Sequence, residues 1–262
     1  MENMVSVISV ANQKGGVGKT TTTINLAASI AKRGYHVLIV DIDPQGNATS
    51  GLGIEKSEID EDIYSVLIND VPLKDTIFHT STAKLDLVPA TINLSGAETE
   101  LISMMARETR LKSALDTVSG DYDFIFIDCP PSLGQLSINA FTASDSILIP
   151  VQSEYYAMEG LSQLLNTIRL VQKHFNKDLG VEGVLMTMLD ARTNLGAEVV
   201  KEVKSYFSNK VYQTIIPRIT KLAEAPSYGE AITEYAPNSR GAKVYDDLAR
   251  EVLNNHGKRL KK

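Results

Sequence analysis

Short apolar runs alternate along the chain with segments of helical periodicity. Two of the runs, 37–40 and 124–127, contain no polar residue, which is typical of strands covered on both faces of a sheet. We predict strands at 5–11, 36–41, 84–88, 122–128, 145–151, 180–189 and 211–216. Apolar residues repeated at helical spacing predict helices at 20–33, 157–174, 194–207 and about 240–255.

The order of these elements predicts the fold class. Strands that alternate with helices are the βαβ signature of a largely parallel sheet. We therefore expect an α/β fold in which residues 1–262 form one domain, with a single doubly wound, mostly parallel sheet and helices on both faces. In such a sheet a ligand binds beyond the carboxyl ends of the strands. The basic segment 256–262 is expected to be a disordered tail, with a DNA contact as the alternative.

Composition narrows the class of protein. A hydrophobic content of 43% over 262 residues supports a substantial core, and the net charge of −6 gives no general attraction to nucleic acid or anionic membrane. Any DNA contact must therefore come from a local basic patch. The single cysteine, Cys129, excludes an intrachain disulfide and is interpreted as a small buried residue. With no apolar run long enough to span a bilayer, we expect a cytoplasmic protein.

A glycine-rich loop follows the first predicted strand. Residues 12–22 read N-Q-K-G-G-V-G-K-T-T-T, and the glycines allow successive backbone N–H groups to surround a phosphate at the start of the next helix. Lys19 would reach the β- and γ-phosphates, and the Thr20 hydroxyl would coordinate Mg²⁺. The segment therefore predicts a nucleotide-binding loop.

The loop contains a second lysine. The ordinary pattern G-x-x-x-x-G-K-[ST] requires a glycine five residues before Gly18, where this chain has Gln13. Lys14 instead comes directly before the first glycine of the loop. The pattern K-G-G-x-G-K-T-T therefore departs from an ordinary phosphate-binding loop by one added positive charge.

Aspartates end two of the predicted strands. Asp41 and Asp43 lie at and just beyond the end of one strand, where the period of two places them on the same side. Asp128 follows four apolar residues, which is the position typical of the strand-end carboxylate that holds the hydration shell of Mg²⁺ in a nucleotide site. Either could instead be a polar residue ending a buried strand, but two such ends beside a phosphate loop favour a magnesium site.

These motifs together resemble one family. K-G-G-V-G-K-T-T, D-I-D-P-Q-G-N-A-T and I-D-C-P-P-S-L are similar to the ParA/Soj chromosome-partitioning ATPases, within the deviant-Walker P-loop group that also includes MinD. The resemblance continues through 151–160, 187–193, 216–218 and 224–229, and so covers nearly the whole chain. It implies a Mg²⁺-dependent ATPase with weak basal turnover, ATP or ADP as the bound nucleotide, and a homodimer that forms on ATP binding.

The resemblance also implies roles for individual residues. Lys14 would cross to the partner's nucleotide, Asp43 would orient the attacking water, and Asp41 and Asp128 would lie near the metal with Thr20. Lys14, Lys19 and Asp43 are thus the expected catalytic residues. The expected nucleotide contacts, including Glu154 at the dimer interface and two residues that flank adenine, are Lys14, Gly15, Gly16, Val17, Gly18, Lys19, Thr20, Thr21, Asp43, Glu154, Pro217 and Arg218.

The same resemblance implies partners. ATP-bound dimers of this kind bind double-stranded DNA without sequence preference, and a ParB-like centromere-binding protein stimulates hydrolysis. A nucleoid-associated location is therefore expected. The candidate DNA-binding residues, each of which could instead be an ordinary solvated charge, are Arg192, Lys221, Arg218, Arg240 and Lys243.

Two other functions remain open. The first is a regulator of replication or transcription initiation that uses the same nucleotide switch, with a replication initiator as its partner. The second is a membrane-cycling ATPase similar to MinD, which needs an amphipathic C-terminal helix. Segment 246–262 lacks a sustained apolar face, so we expect no membrane partner.

Overall fold

The computed structural model describes residues 5–152, 157–189 and 194–258, and one sheet of eight strands runs through them. The strands lie side by side in the order β3-β4-β2-β5-β1-β6-β7-β8, and only the pairing of β3 with β4 is antiparallel. Their bounds are Ser6–Val10 (β1), Val37–Asp41 (β2), Phe78–His79 (β3), Leu85–Val88 (β4), Phe124–Asp128 (β5), Ser146–Gln152 (β6), Gly180–Leu189 (β7) and Ile216–Pro217 (β8).

Helices cover both faces of this sheet. One core contains residues of α3 to α8, and the other contains residues of α1, α2, α9, α10 and α11. The expected α/β fold with a mostly parallel sheet is therefore confirmed. The helices are Lys19–Ala31 (α1), Asn47–Gly51 (α2), Ile63–Asn69 (α3), Leu94–Glu100 (α4), Arg110–Asp116 (α5), Gln135–Ala143 (α6), Ala157–His174 (α7), Asn194–Phe207 (α8), Thr220–Glu224 (α9), Ile232–Tyr235 (α10) and Arg240–Asn255 (α11).

The last predicted strand, 211–216, is wrong over most of its length. Val211 makes only an isolated bridge to Val184, and the strand itself begins at Ile216. Between them the backbone N–H groups of Gln213 and Thr214 donate to the two carboxylate oxygens of Glu251, at 2.7 and 3.1 Å. A side chain from α11 thus takes the hydrogen bonds that a neighbouring strand would have made.

The start of the predicted tail is packed against the amino-terminal end of the sheet. The imidazole of His256 lies 3.1 Å from a carboxylate oxygen of Glu182 and 3.2 Å from the Ser6 hydroxyl. Lys258 places its ammonium group 4.2 Å from the centre of the Phe124 ring. The boundary expected at 256 is therefore too early, because ring and hydrogen-bond contacts hold His256 and Lys258; residues 259–262 lie outside the described residues.

Two glycines bring distant segments of the chain into backbone contact. Gly53 follows α2, and Gly229 follows the short 3₁₀ helix Ala225–Tyr228. Both have positive φ, of 78° and 67°, and a Cβ atom added to Gly229 would lie 2.5 Å from the Gly53 Cα. The loop after α2 and the segment between α9 and α10 therefore meet with no side chain between them.

Candidate functional site

The glycine-rich loop lies at the carboxyl end of β1 and leads into α1. Gly18 is the N-cap residue of α1 and has a φ of 88°, in the left-handed region that favours glycine. Asn12 connects this loop to β6: its side-chain oxygen accepts the Lys14 N–H at 3.0 Å, and its amide donates to the Pro150 carbonyl at 2.7 Å. On the other side the Thr187 hydroxyl donates to the Val17 carbonyl at 2.8 Å. The loop is thus fixed by β6 and β7.

Lys19 is the first residue of α1, and its side chain is buried. Its ammonium group donates to the Lys14 carbonyl at 3.3 Å, so it folds back over the loop. Burial lowers the pKa of Lys19, and the nearby carboxylates of Asp128 and Asp43 oppose that shift. A buried cation next to the backbone N–H groups of a glycine-rich loop is suited to bind a phosphate group.

The structure brings Thr20 and Asp128 together. The Thr20 hydroxyl donates to one oxygen of the Asp128 carboxylate at 2.7 Å, and the Thr23 hydroxyl donates to the other at 3.0 Å. Burial raises the pKa of Asp128, and the charge of neighbouring Asp41 adds to this effect. Thr20 is therefore held in place at the rim where a phosphate-bound cation would need a hydroxyl ligand.

No group of three or more His, Cys, Asp or Glu side chains within the described ranges could hold a metal ion alone. The donors that the site does offer, a threonine hydroxyl backed by a buried carboxylate, suit Mg²⁺ that keeps water and phosphate oxygens as its other ligands. The residues present therefore fit a magnesium ion that arrives with a nucleotide.

Asp41 and Asp43 occupy different positions at the end of β2. Asp41 is fully buried beside Asp128 in the paired strand β5, and burial raises its pKa. One of its oxygens accepts the Asp43 N–H at 3.1 Å, and the other accepts the backbone N–H and the hydroxyl of Thr49 at 2.9 and 2.8 Å. Asp43 lies further out, where its carboxylate accepts the Gln45 N–H at 2.9 Å.

A cavity of about 190 Å³ adjoins the loop at Gly18 and Thr21. Pro217 and Arg218, the residues expected to flank adenine, contribute to its wall. Most of its lining is apolar, and the remaining lining residues are Thr187, Met188, Ile216, Ile219, Leu222, Ala223 and Tyr245. Apolar walls next to a phosphate loop are suited to a nucleotide base.

Four of the five candidate DNA-binding residues lie on or next to α9 and α11, which pack on the same face of the sheet. Leu222 of α9 packs at Gly241 of α11, with 3.3 Å from a leucine methyl carbon to the position of an added Cβ. This contact joins the elements that carry the basic residues. All four are exposed and form no ion pair within the ranges that the structure describes: Arg218, Lys221, Arg240 and Lys243.

Two expected site residues, Arg192 and Glu154, lie outside the described residues. Cys129, by contrast, is buried directly after Asp128, and burial raises the pKa of its thiol. It is therefore a buried neutral thiol, in line with its interpretation as a small core residue. None of the helices in the described residues is both long and apolar enough to cross a membrane.

Sequence reasoning missed the residues that support the site. Thr23, Thr49, Thr187 and Asn12 are all buried and hydrogen-bonded to the loop or to its carboxylates. Thr49 and Thr187 stand within the quoted motifs, but their residue type alone does not distinguish a buried hydroxyl from an exposed one. Only Thr187, which lies between two methionines, is marked in the sequence as a polar residue among apolar neighbours.

Known proteins share both sequence and fold with this chain. A family of AAA domains matches residues 5–181. The sporulation initiation inhibitor protein Soj of Bacillus subtilis is 62% identical over 252 residues, which cover 96% of this chain and 100% of that protein. The chromosome partitioning protein ParA of Myxococcus xanthus is 51% identical over 247 residues, 94% of this chain and 87% of that protein.

A solved structure extends the likeness to the nucleotide site. The crystal structure of cobyrinic acid a,c-diamide synthase from Mycobacterium smegmatis, with bound ADP and magnesium, superposes with a TM-score of 0.85 at 37% identity and covers 98% of each chain. The similarity extends over nearly the full length of the chain and includes the phosphate loop and the aspartates that end β2 and β5. This chain therefore belongs to the Soj/ParA family of chromosome-partitioning ATPases.

Proposed function

We propose that this protein is an ATP-dependent switch for chromosome or plasmid partitioning, in which an ATP-bound dimer binds DNA and hydrolysis releases it. The observation that carries the proposal is the loop in which the Lys19 ammonium group donates to the Lys14 carbonyl and lies near the Asp43 carboxylate. The relatives at 62% and 51% identity are named for sporulation control and partitioning, and they are more similar in sequence to this chain than the cobyrinic acid a,c-diamide synthase is, at 37%.

Each residue of the site has a separate role in hydrolysis. The backbone N–H groups of 15–20 and the Lys19 ammonium group bind the phosphates, and the cavity at Pro217 and Arg218 receives the base. Thr20, held by Asp128, would coordinate Mg²⁺, which when bound neutralises charge on the β- and γ-phosphates. Asp43 orients the attacking water, and phosphoryl transfer depends mainly on such positioning.

Lys14 makes hydrolysis depend on the dimer. In this proposal its ammonium group contacts the nucleotide of the partner subunit, with Glu154 near the same interface. A cation placed where charge develops in the transition state is a major catalytic contribution, and here it arrives only when two subunits meet. Slow turnover by the isolated monomer follows from this arrangement. In the same proposal, DNA and a ParB-like partner accelerate turnover.

The output of the switch is DNA binding. The exposed surface formed by Arg218, Lys221, Arg240 and Lys243, together with Arg192, supplies cations for the phosphates of double-stranded DNA. Dimerisation doubles this patch, so an acidic protein can still bind. The protein would then be cytoplasmic and associated with the nucleoid.

Light scattering after size exclusion tests the switch directly. Asp43→Ala, which removes the residue that orients water, should elute as a dimer with MgATP and as a monomer with MgADP, and only the ATP form should carry DNA. Lys14→Ala is the matched variant within the loop: it should bind nucleotide as a monomer but lose hydrolysis. A monomeric Asp43→Ala protein with ATP, or normal turnover by Lys14→Ala, would contradict the proposal.

A regulatory role is the second candidate function. The relative at 62% identity is named a sporulation initiation inhibitor, which favours a protein that acts on replication or transcription initiation through the same switch. ATPase measured with a ParB-like peptide, and separately with a replication initiator, distinguishes the two. A MinD-like membrane cycle is disfavoured, because Leu248, Val252 and Leu253 of α11 are buried in the core and cannot insert into a bilayer.

A further inference from the structure

A buried threonine lies directly behind the carboxylates of the site. Thr49, in α2, is fully buried, and its hydroxyl makes two hydrogen bonds. It accepts the Ala90 N–H at 3.0 Å and donates to the Asp41 carboxylate at 2.8 Å. Because an amide N–H can only donate, the hydroxyl proton is directed to Asp41.

This contact occupies one side of the Asp41 carboxylate. The same oxygen also accepts the Thr49 N–H at 2.9 Å, so two donors of one residue hold it. The other oxygen accepts the Asp43 N–H at 3.1 Å. Asp41 therefore bridges α2 and the main chain of Asp43, and both of its oxygens are engaged without a metal ion.

We propose that Thr49 is a positioning residue for ATP hydrolysis: it holds Asp41, and Asp41 holds the main chain of Asp43 at the place where the attacking water is oriented. In this assignment Asp41 braces the loop after β2, and the role of binding the magnesium hydration shell belongs to Thr20 and Asp128. The inference rests on the proposed function, in which Asp43 acts on the water.

The proposal separates turnover from binding. Thr49→Val keeps the shape of the side chain but removes the proton that Asp41 accepts, so Asp43 loses its fixed position. A displacement of about 1 Å at a reacting group costs up to about 100-fold in rate, and we expect kcat to fall by about 10- to 100-fold. Lys19, Thr20 and Asp128 are untouched, so nucleotide affinity and half-saturation by Mg²⁺ should change by less than about threefold. Thr49→Ser, which retains the hydroxyl, should restore most of kcat.

The matched control is Thr76→Val. Thr76 is also fully buried and its hydroxyl also has one acceptor, the Leu73 carbonyl at 2.8 Å, but it contacts neither carboxylate. The experiment measures kcat, binding of a fluorescent ATP analogue, its Mg²⁺ dependence and Tm on full-length wild type and the three variants. Thr49→Ala, which removes the hydroxyl without requiring the valine to fit, is measured if Thr49→Val fails to fold.

The outcomes separate the inference from the function on which it rests. A kcat loss confined to Thr49→Val, with Mg²⁺ dependence retained and recovery in Thr49→Ser, supports the positioning role. The inference is overturned if Thr49→Val turns over normally, if Thr76→Val loses kcat equally, or if Mg²⁺ half-saturation shifts by 10-fold or more, about 1.4 kcal/mol, as a metal-binding role requires. An inactive wild-type protein would instead overturn the proposed ATPase.

Discussion

Asp128 holds Thr20 at the candidate magnesium site, but it lowers the stability of the protein when no nucleotide or metal is bound. Burial and the neighbouring Asp41 raise its pKa above the ordinary value of 3.8. The folded protein therefore binds a proton that the unfolded chain releases, and the resulting contribution to stability is present at low pH and is lost as the pH rises. The residue that anchors Thr20 thus costs stability at neutral pH until a cation arrives.

We expect Asp128→Asn to raise Tm in the absence of nucleotide and magnesium. The asparagine carries no titratable charge, so its advantage over wild type should grow as the pH rises from 5 to 8, by about 2 °C or more. Thermal unfolding at the two pH values checks this. Asp116→Asn, at an exposed position of α5, is the control and should show no such growth; a constant difference for Asp128→Asn would contradict the argument.

At the scale of single residues, the sequence predicts the charged residues of the site better than the residues that hydrogen-bond to them. Lys14, Lys19, Asp43 and Asp128 stand out because a glycine-rich loop or a strand end marks their positions. Thr49 does not, because its function depends on the Ala90 N–H, which comes from a segment 41 residues away. A hydrogen bond between distant segments leaves no pattern in the local sequence.

Among the helices, α1 follows the phosphate loop and also makes a hydrogen bond to the C-terminal helices. Asn25, on its buried face, accepts the Ile232 N–H at 2.7 Å with its side-chain oxygen and so satisfies the start of α10. Its amide donates to the Thr21 carbonyl at 2.7 Å. One polar side chain thus joins the nucleotide helix to the C-terminal helices.

Asn25→Leu should lower the free energy of unfolding by about 1–3 kcal/mol, because the Ile232 N–H is left buried without an acceptor. Urea unfolding measures the difference. The comparison variant is Asn254→Leu, at an exposed position of α11, which should change stability by no more than about 0.5 kcal/mol. Equal effects of the two substitutions would show that the Asn25 hydrogen bond is not the cause.

The sequence predicts the long elements and misses the short or interrupted ones. Apolar runs predict β1, β2, β5, β6 and β7, since strands buried on both faces need such residues. β3 has two residues, too few to show a period. The strand expected at 211–216 fails because Glu251, distant in sequence, captures the amides of Gln213 and Thr214.

At the scale of the whole molecule, the local charge of one surface is opposite in sign to the net charge of the protein. The net charge is −6, yet the surface around α9 and the start of α11 presents cations free of ion pairs in the described residues.

Lys221→Ala should weaken DNA binding by the MgATP form equally for all sequences and reduce the slope of log K against log salt by about one. Fluorescence anisotropy at several salt concentrations measures that slope.

Lys112→Ala provides the control for that measurement. Lys112 is exposed on α5, on the opposite face of the sheet, and its loss should leave the slope unchanged. If both variants change the slope equally, binding would reflect the overall charge of the protein and not the surface at α9.

The contact of Gly53 with Gly229 has a mechanical consequence. Side chains ordinarily absorb small movements by changing rotamer, but here backbone meets backbone. A shift of α2, which follows the Asp43 loop, could not be accommodated at this contact by a change of rotamer. The loop after α2 and the segment after α9, which lie in the same helix layer, are therefore constrained to keep their relative position more strictly than two segments joined through side chains.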